Sequence, residues 1–423
     1  MKASAICIVG AGPGGTATAL KLSYLGIPCT LIDKADFPRD KVCGDAISGK
    51  VTTLLSRLDP DILERFDQEK DIQSDVWGIR FVAPNRKALN IPFRGEIKMD
   101  HEKAPGYVSK RIDFDHFLIR EVQRRSNIEL HLNTEISHYE RCPLGYRIQS
   151  KDGQFERECK LLILANGAHS QFSRHHAGLE KDNKHHAAAL RAYYKGLKGL
   201  GDRKWIELHF VKELAPGYLW IFPLPDDHAN VGLGMRSDIL QKKGVHLRET
   251  FDRLLATHPD YKERFADATL LGKVQGFPLP LGSKKRPISG DHFLLIGDAG
   301  HLIDPLTGEG IGNAFYSGFI AAELAEKCLA ADDFSAEFLK AYDVRVARVL
   351  GSEMRLSYRL QQALRYPVLA NIIAAMVHSN QRILQALYDM YTDLRVRRQL
   401  LNPLFWLRLL FGWGRKKKSE GPS

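Results

Sequence analysis

Gly10, Gly12, Pro13, Gly14 and Gly15 stand directly behind an apolar run, Ala5-Ile6-Cys7-Ile8-Val9, and directly ahead of a helical pattern over 16–25. A turn so rich in glycine lets backbone come close to a phosphate. The helix behind it directs free amides and a partial positive charge at the same point. Gly10 suits the tight turn, Gly12 the approach of a pyrophosphate, and Gly15 the close packing of helix on strand. About twenty residues on, the run Cys29-Thr30-Leu31-Ile32 stops on Asp33, placed to hold adenosine ribose hydroxyls and to disfavour a 2′-phosphate. Strand, glycine turn, helix, strand and acid together read as a dinucleotide site.

A second cluster runs Gly297-Asp298-Ala299-Gly300-His301-Leu302-Ile303-Asp304-Pro305-Leu306-Thr307-Gly308-Glu309-Gly310-Ile311-Gly312-Asn313, behind the apolar run Phe293-Leu294-Leu295-Ile296. An acid at the carboxyl end of a buried strand points into the ligand crevice of an open sheet. The helix that starts near Gly310, Ile311 and Gly312 stabilises negative charge at its N-terminus. In a third cluster, Tyr218, Trp220 and Phe222 alternate, so they share one face of a strand. Such a face is either ordinary core or an apolar ligand wall. Pro223 and the later Gly232-Leu233-Gly234 bring a bend and a close backbone approach. Cys43, in the loop Pro38-Arg39-Asp40-Lys41-Val42-Cys43-Gly44-Asp45, is either an inert thiol or a group that orients substrate. No histidine partner is identifiable, so a nucleophile with its own base is not supported. His169, His175, His176, His185 and His186 lack metal-ligand spacing and read as a polar connector, with no metal expected.

The elements that must position these residues lie far apart in sequence. The strands at 5–9 and 293–296 both end in nucleotide-type turns, so one dinucleotide domain has to be assembled from separated segments. We expect 1–75, 102–182 and 275–345 to form it. Strand-rich stretches at 76–101 and 183–274 would be inserted as a second domain, with a helical region at 346–423. The fold class is α/β, with a Rossmann-type FAD-binding domain, and the architecture resembles the flavoprotein fold of p-hydroxybenzoate hydroxylase. That resemblance implies FAD: Asp298 on the ribityl hydroxyls, and the amides near Gly310, Ile311 and Gly312 at the flavin edge that gains charge on reduction.

The motifs narrow the resemblance further. Gly297 to Gly310 is similar to the second flavin motif of the geranylgeranyl reductase family, and Pro38 to Asp45 resembles that family's cysteine-bearing loop. Tyr218-Leu219-Trp220-Ile221-Phe222-Pro223, eight residues and Gly232-Leu233-Gly234 match its YxWxFP(x8)GxG signature. The likeness covers residues 1–345. It implies an active-site place for Cys43, a polyprenyl channel walled by Tyr218, Trp220 and Phe222, and a basic residue against the cofactor, first Arg111 and then Arg39. Asn166 departs from the usual GADGxxSxxR segment, where an aspartate would stand. The implied activity is reduction of carbon–carbon double bonds of an isoprenoid lipid, with electrons from an external donor, NADPH or a ferredoxin-type protein, since no second Gly-x-Gly-x-x-Gly unit occurs. A flavin monooxygenase or halogenase is the alternative, because Tyr218 to Pro223 is near a halogenase WxWxIP. A surface scaffold with vestigial FAD is the third.

Composition sets the frame. Apolar residues at 44% and charged residues at 26% in 423 residues suit a globular protein of two or three domains. Six cysteines without a CxxC pair, two of them inside the nucleotide unit, suit a reducing compartment. The apolar start runs straight into the glycine turn with no cleavage site, so no signal peptide is expected. Of the net charge of +11, a share of +6 lies in the last tenth of the chain, with nine Lys/Arg against three Asp/Glu from Arg382 to Ser423. The segment Asn402 to Lys418 carries Phe405, Trp406, Phe411 and Trp413 beside Arg415-Lys416-Lys417-Lys418. It is too short to span a bilayer, which takes about twenty apolar residues, and suits an interfacial anchor. The expectation is a cytoplasmic enzyme, peripheral on the inner face of the membrane, without nucleic acid as a partner.

Overall fold

The computed structural model describes residues 3–93, 103–200 and 205–379. The central sheet is parallel along its spine. Ala3–Val9 lies between Cys29–Ile32 on one side and Glu156–Leu164 on the other, with Ile128–His131 beyond the first and Phe293–Leu295 beyond the second. Ile6, Cys7 and Ile8 are wholly buried because helices cover both faces, which is why the run is apolar throughout rather than alternating. An antiparallel extension, Ile136–Cys142 with Gly145–Ser150, joins the long strand Glu156–Leu164.

A second, seven-stranded sheet has the order Thr269–Pro280, His186–Lys195, His228–Arg236, Tyr218–Leu224, Trp205–His209, Gly78–Val82 and Ala88–Pro92. Its two faces do different work. Leu219, Ile221, Val231 and Leu233 pack with Phe251 and Leu254 of the helix Leu247–Thr257. Trp220, Phe222 and Leu224 lie on the opposite face, with Val76 and Val108 of a small three-stranded sheet. The chain is thus α/β, with a Rossmann-type sheet drawn from separated segments, a strand-rich layer and helices toward its C-terminal end.

Residue patterns over 51–66 and over 240–255 each predict one helix, and local chemistry divides both. The pattern over 51–66 becomes Gly49–Leu58 and Pro60–Gln68, because Pro60 cannot continue a helix but suits the start of one, and Asp59 caps it through the Asp61 amide. The pattern over 240–255 becomes Ser237–Lys243 and Leu247–Thr257, separated where Gly244 turns left-handed at φ 60°. The long helix Ile311–Ala331 is followed by Ala336–Val349, Gly351–Ala363 and Pro367–Ser379. The basic aromatic segment Asn402 to Lys418 lies outside the described residues. No described helix is long and apolar enough to cross a membrane.

Candidate active site

The glycine turn has the expected shape. Gly10 sits at φ +104°, where a side chain would run into the Ala165 backbone, and a Cβ on Gly15 would overlap the Gly10 carbonyl oxygen. Pro13 occupies the first turn of the helix Pro13–Tyr24, where its missing N–H costs nothing. Gly14 packs on Ile296 and Ala314, and so seats the first helix against the long one. Gly12 differs from the rest. A Cβ there would meet only the guanidinium nitrogens of Arg39, at 3.6 Å, and Arg111, at 3.8 Å. Asp33 ends its strand with its carboxylate accepting from the Ala11 amide at 2.6 Å and the Ala35 amide at 2.9 Å.

One buried carboxylate holds both arginines. Asp115 takes a bidentate pair from Arg111, at 2.7 and 2.6 Å, and a third bond from Arg39 at 2.9 Å. Burial disfavours the Arg111 charge, but the Asp115 carboxylate outweighs it and holds the guanidinium above its ordinary pKa. Cys43 is a half-buried free thiol on the loop that follows Arg39 and Lys41. Asp115 lies four residues beyond Arg111, one helical turn on, and that spacing was a signal available in the sequence.

Across the crevice, Gly297 is left-handed at φ +55° against Ala314. Asp298 pairs with Lys41 at 3.2 Å, which ties the second motif to the cysteine loop. A Cβ on Gly310 would lie 3.1 Å from Asp298 Oδ1. Ile311 is buried among Val51, Leu54 and Phe315. Gly312 is backed by Lys50, whose Cβ would be 2.8 Å from one on the glycine, so this position is needed for packing. Lys50 in turn pairs with Glu309 at 3.3 Å and Glu353 at 3.0 Å, and donates to Asn313 at 2.8 Å.

The aromatic strand closes the ring. The Tyr218 hydroxyl donates to the Thr307 carbonyl and lies against Gly308. Phe222 and Trp220 lie on Gly44, with Phe222 Cε2 3.2 Å and Trp220 Nε1 3.8 Å from its Cβ position. Neighbouring rings along the strand are 6.2 and 6.3 Å apart. Register explains the trailing Gly-x-Gly. Trp220 pairs with Gly232 and Tyr218 with Gly234 on the antiparallel neighbour, and a Cβ on Gly232 would overlap the indole. Contacts therefore join Gly12 to Arg39 and Arg111, Gly44 to Trp220 and Phe222, Gly308 to Tyr218, and Gly310 to Asp298 and through it to Lys41.

Sequence reasoning passed over Asn230 and Tyr193, which sit behind the cysteine loop. Asn230 Nδ2 donates to the Cys43 carbonyl at 2.8 Å and to Asp45 at 2.7 Å, and Tyr193 also donates to Asp45 at 2.7 Å. The clustered histidines have ordinary partners. His185 bonds Ser283, His186 bonds the Asp182 carbonyl, and His175 bonds Gln171. Among the described residues no group of three His, Cys, Asp or Glu side chains is arranged to hold a metal ion. Asn166 keeps a buried Oδ1 without a hydrogen-bond partner among the described residues.

These residues fit FAD. The open space at Gly12, flanked by two fixed guanidiniums, matches a pyrophosphate. Asp33 and Asp298 lie at the carboxyl ends of their strands as the two ends of the dinucleotide require.

Two families match the chain: an FAD binding domain over residues 3–195 and the geranylgeranyl reductase catalytic domain over residues 188–275. Digeranylgeranylglycerophospholipid reductase 1 of Methanopyrus kandleri is 31% identical over 80% of this chain and 85% of its own. The digeranylgeranylglycerophospholipid reductase of Methanocella arvoryzae is 28% identical over 89% and 91%. Among solved structures, a geranylgeranyl bacteriochlorophyll reductase-like protein from Thermoplasma acidophilum aligns with a TM-score of 0.77 at 22% identity, covering 95% of this chain and 99% of that one. A triple mutant of the flavin-dependent brominase Bmp2 aligns at 0.72 and 20% identity, covering 94% and 98%.

Proposed function

The chain belongs to the geranylgeranyl reductase family of FAD-dependent oxidoreductases, and from that premise we propose that it saturates carbon–carbon double bonds of a geranylgeranyl-type isoprenoid lipid. Reduced FAD, when bound, supplies an electron pair together with one hydrogen. The glycine turn and Asp33 hold the adenosine half, Arg39 and Arg111 face the pyrophosphate, and Asp298 holds the ribityl hydroxyls. The start of the helix Ile311–Ala331 faces the flavin edge that becomes negative. Tyr218, Trp220 and Phe222 wall the channel for the apolar chain and exclude water from it.

The observation that carries this reading is the seating of one aromatic strand on both cofactor loops. Tyr218 is bonded to Thr307, and Phe222 lies on Gly44 next to Cys43. An apolar wall so placed brings a polyprenyl chain against the reacting ring. Electrons come from an external donor of NADPH or ferredoxin type. A membrane surface is the second partner. Tyr366, Val368, Leu369 and Ile372 are exposed at and along the helix Pro367–Ser379, which precedes the basic aromatic segment in sequence.

The test is to reduce the purified FAD-loaded protein chemically, without oxygen, and add a digeranylgeranylglycerol phospholipid. The expected result is return of flavin colour with lipid mass rising in steps of two hydrogens. Lipid left unchanged, with halide-dependent or oxygen-consuming turnover of another compound, overturns the reading in favour of a halogenase or monooxygenase.

A further inference from the structure

Saturating a double bond takes two hydrogens, and only one arrives with the electron pair. The other is a proton, and some group must hold it inside a site that excludes water. We propose that this group is the carboxyl of Asp45: its O–H bond at Oδ1 breaks, the proton forms the second C–H bond of the lipid, and the electron pair of the broken bond stays on the carboxylate. The assignment rests on the reductase reading above.

Three observations carry it. Asp45 is wholly buried two residues beyond Cys43, on the loop against which Trp220 and Phe222 pack. Its Oδ2 accepts from Tyr193 and Asn230, while Oδ1 is buried with no partner among the described residues. A buried polar atom without a partner is costly and calls for a role. Finally, Asn230 joins the carboxyl to the Cys43 carbonyl and the Trp220 indole, so acid, loop and aromatic wall keep one geometry.

The surroundings suit a proton that leaves and returns. Burial raises Asp45 to about 6, although the Tyr193 and Asn230 hydrogen bonds and the Arg191 and Arg111 charges each lower it. An acid works best with a pKa near the working pH. The groups facing it from the packed elements are Tyr193 and Arg191 on one strand, Asn230 on the next, Arg111 at its helix start, and Cys43 on its own loop. Arg191 and Arg111 steady the carboxylate once the proton is gone. Arg191 stacks 4.1 Å over the Tyr193 ring and pairs at 2.8 Å with the exposed Asp40, which fixes its charge beside the carboxyl.

The experiment uses Asp45→Asn and Tyr193→Phe in the FAD-loaded protein. Asparagine tolerates the left-handed backbone of this position and keeps the Oδ2 bonds in part, so the first variant is expected to fold and bind FAD. In single turnovers of the pre-reduced protein with a digeranylgeranylglycerol phospholipid, Asp45→Asn should slow lipid-dependent reoxidation by roughly 10²–10⁴-fold, with chemical reduction of the flavin unchanged. Tyr193→Phe, which removes a bond that lowers the Asp45 pKa, should move the midpoint of the pH–rate profile upward. A second readout needs no turnover. In FAD-free protein labelled with carbon-13 at aspartate, one carboxyl should titrate near pH 6 and be missing from Asp45→Asn. An Asp45→Asn rate within roughly threefold of wild type, or no carboxyl titrating above the ordinary range, overturns the proton assignment alone. A wild-type protein that leaves the lipid untouched overturns the reductase reading and this assignment with it.

Discussion

The indole N–H of Trp220 donates to Asn230 Oδ1 at 2.8 Å, and the same asparagine donates from Nδ2 to the Cys43 carbonyl. One amide thus locks the aromatic wall to the cysteine loop. Trp220→Phe keeps the ring but leaves Asn230 Oδ1 buried and unbonded, at a cost of about 1–3 kcal/mol. The expected outcome is a lower unfolding temperature with FAD binding retained, together with slower lipid turnover as the loop loses its tether. Thermal unfolding, flavin titration and lipid turnover measured on one preparation check it. Unchanged stability would show that this bond does not hold the wall.

Gly12 and Gly15 should fail in opposite ways. Gly15→Ala places a methyl group inside the Gly10 carbonyl, between backbones that cannot part, so the protein should lose several kcal/mol or not fold. Gly12→Ala has room, since its Cβ meets only the ends of Arg39 and Arg111 at 3.6 and 3.8 Å. That variant should fold normally and bind FAD at least about tenfold more weakly, because the methyl occupies the pyrophosphate's approach. Circular dichroism and flavin titration separate the two cases. Tight FAD binding by Gly12→Ala would place the pyrophosphate elsewhere.

Asp298 is held by Lys41 at 3.2 Å and borders Gly310. Replacing it with alanine removes a charged acceptor whose hydrogen bonds are worth about 1.5–3 kcal/mol. FAD affinity should therefore fall roughly 10–100-fold, by fluorescence titration of the flavin. Lys41→Met frees Asp298 without removing it and should cost much less. An equal loss in both variants would mean that the ion pair itself, rather than the carboxylate, supports the cofactor.

The parts of the site legible in the sequence are those in which local backbone demands fix the residue type. Gly10 and Gly15 are required by a turn and a close packing that leave no room for a side chain, so their spacing shows the structure directly. The aromatic strand was legible for a similar reason. Alternation put Tyr218, Trp220 and Phe222 on one face, and the register now shows that Gly232 stands opposite Trp220 to admit its ring. Side chains brought in from distant strands gave no such signal. Asn230 and Tyr193 reach Asp45 across 185 and 148 residues, and no local pattern marks an asparagine that serves two loops at once. Apolar spacing does not show the divisions at Pro60 and Gly244, single residues that outweigh their neighbours.

The last expectation concerns stability against pH, measured without FAD or lipid. Asp45 ionises near 6 when folded, against an ordinary 3.8, because burial outweighs its hydrogen bonds and nearby charges. Below pH 3.8 the carboxyl is protonated in both states and carries no penalty. As pH rises from about 4 to about 6, the unfolded chain releases its proton while the folded protein resists, so folded stability falls, and above 6 the loss levels off. A displacement of that size corresponds to about 3 kcal/mol. Asp45→Asn carries no such charge, so its stability relative to wild type should grow by that order between pH 4 and pH 7. Urea unfolding of both proteins at the two pH values measures it. A difference that does not change with pH would mean that the folded protein accepts the Asp45 charge freely, and the carboxyl would then hold no proton near neutrality.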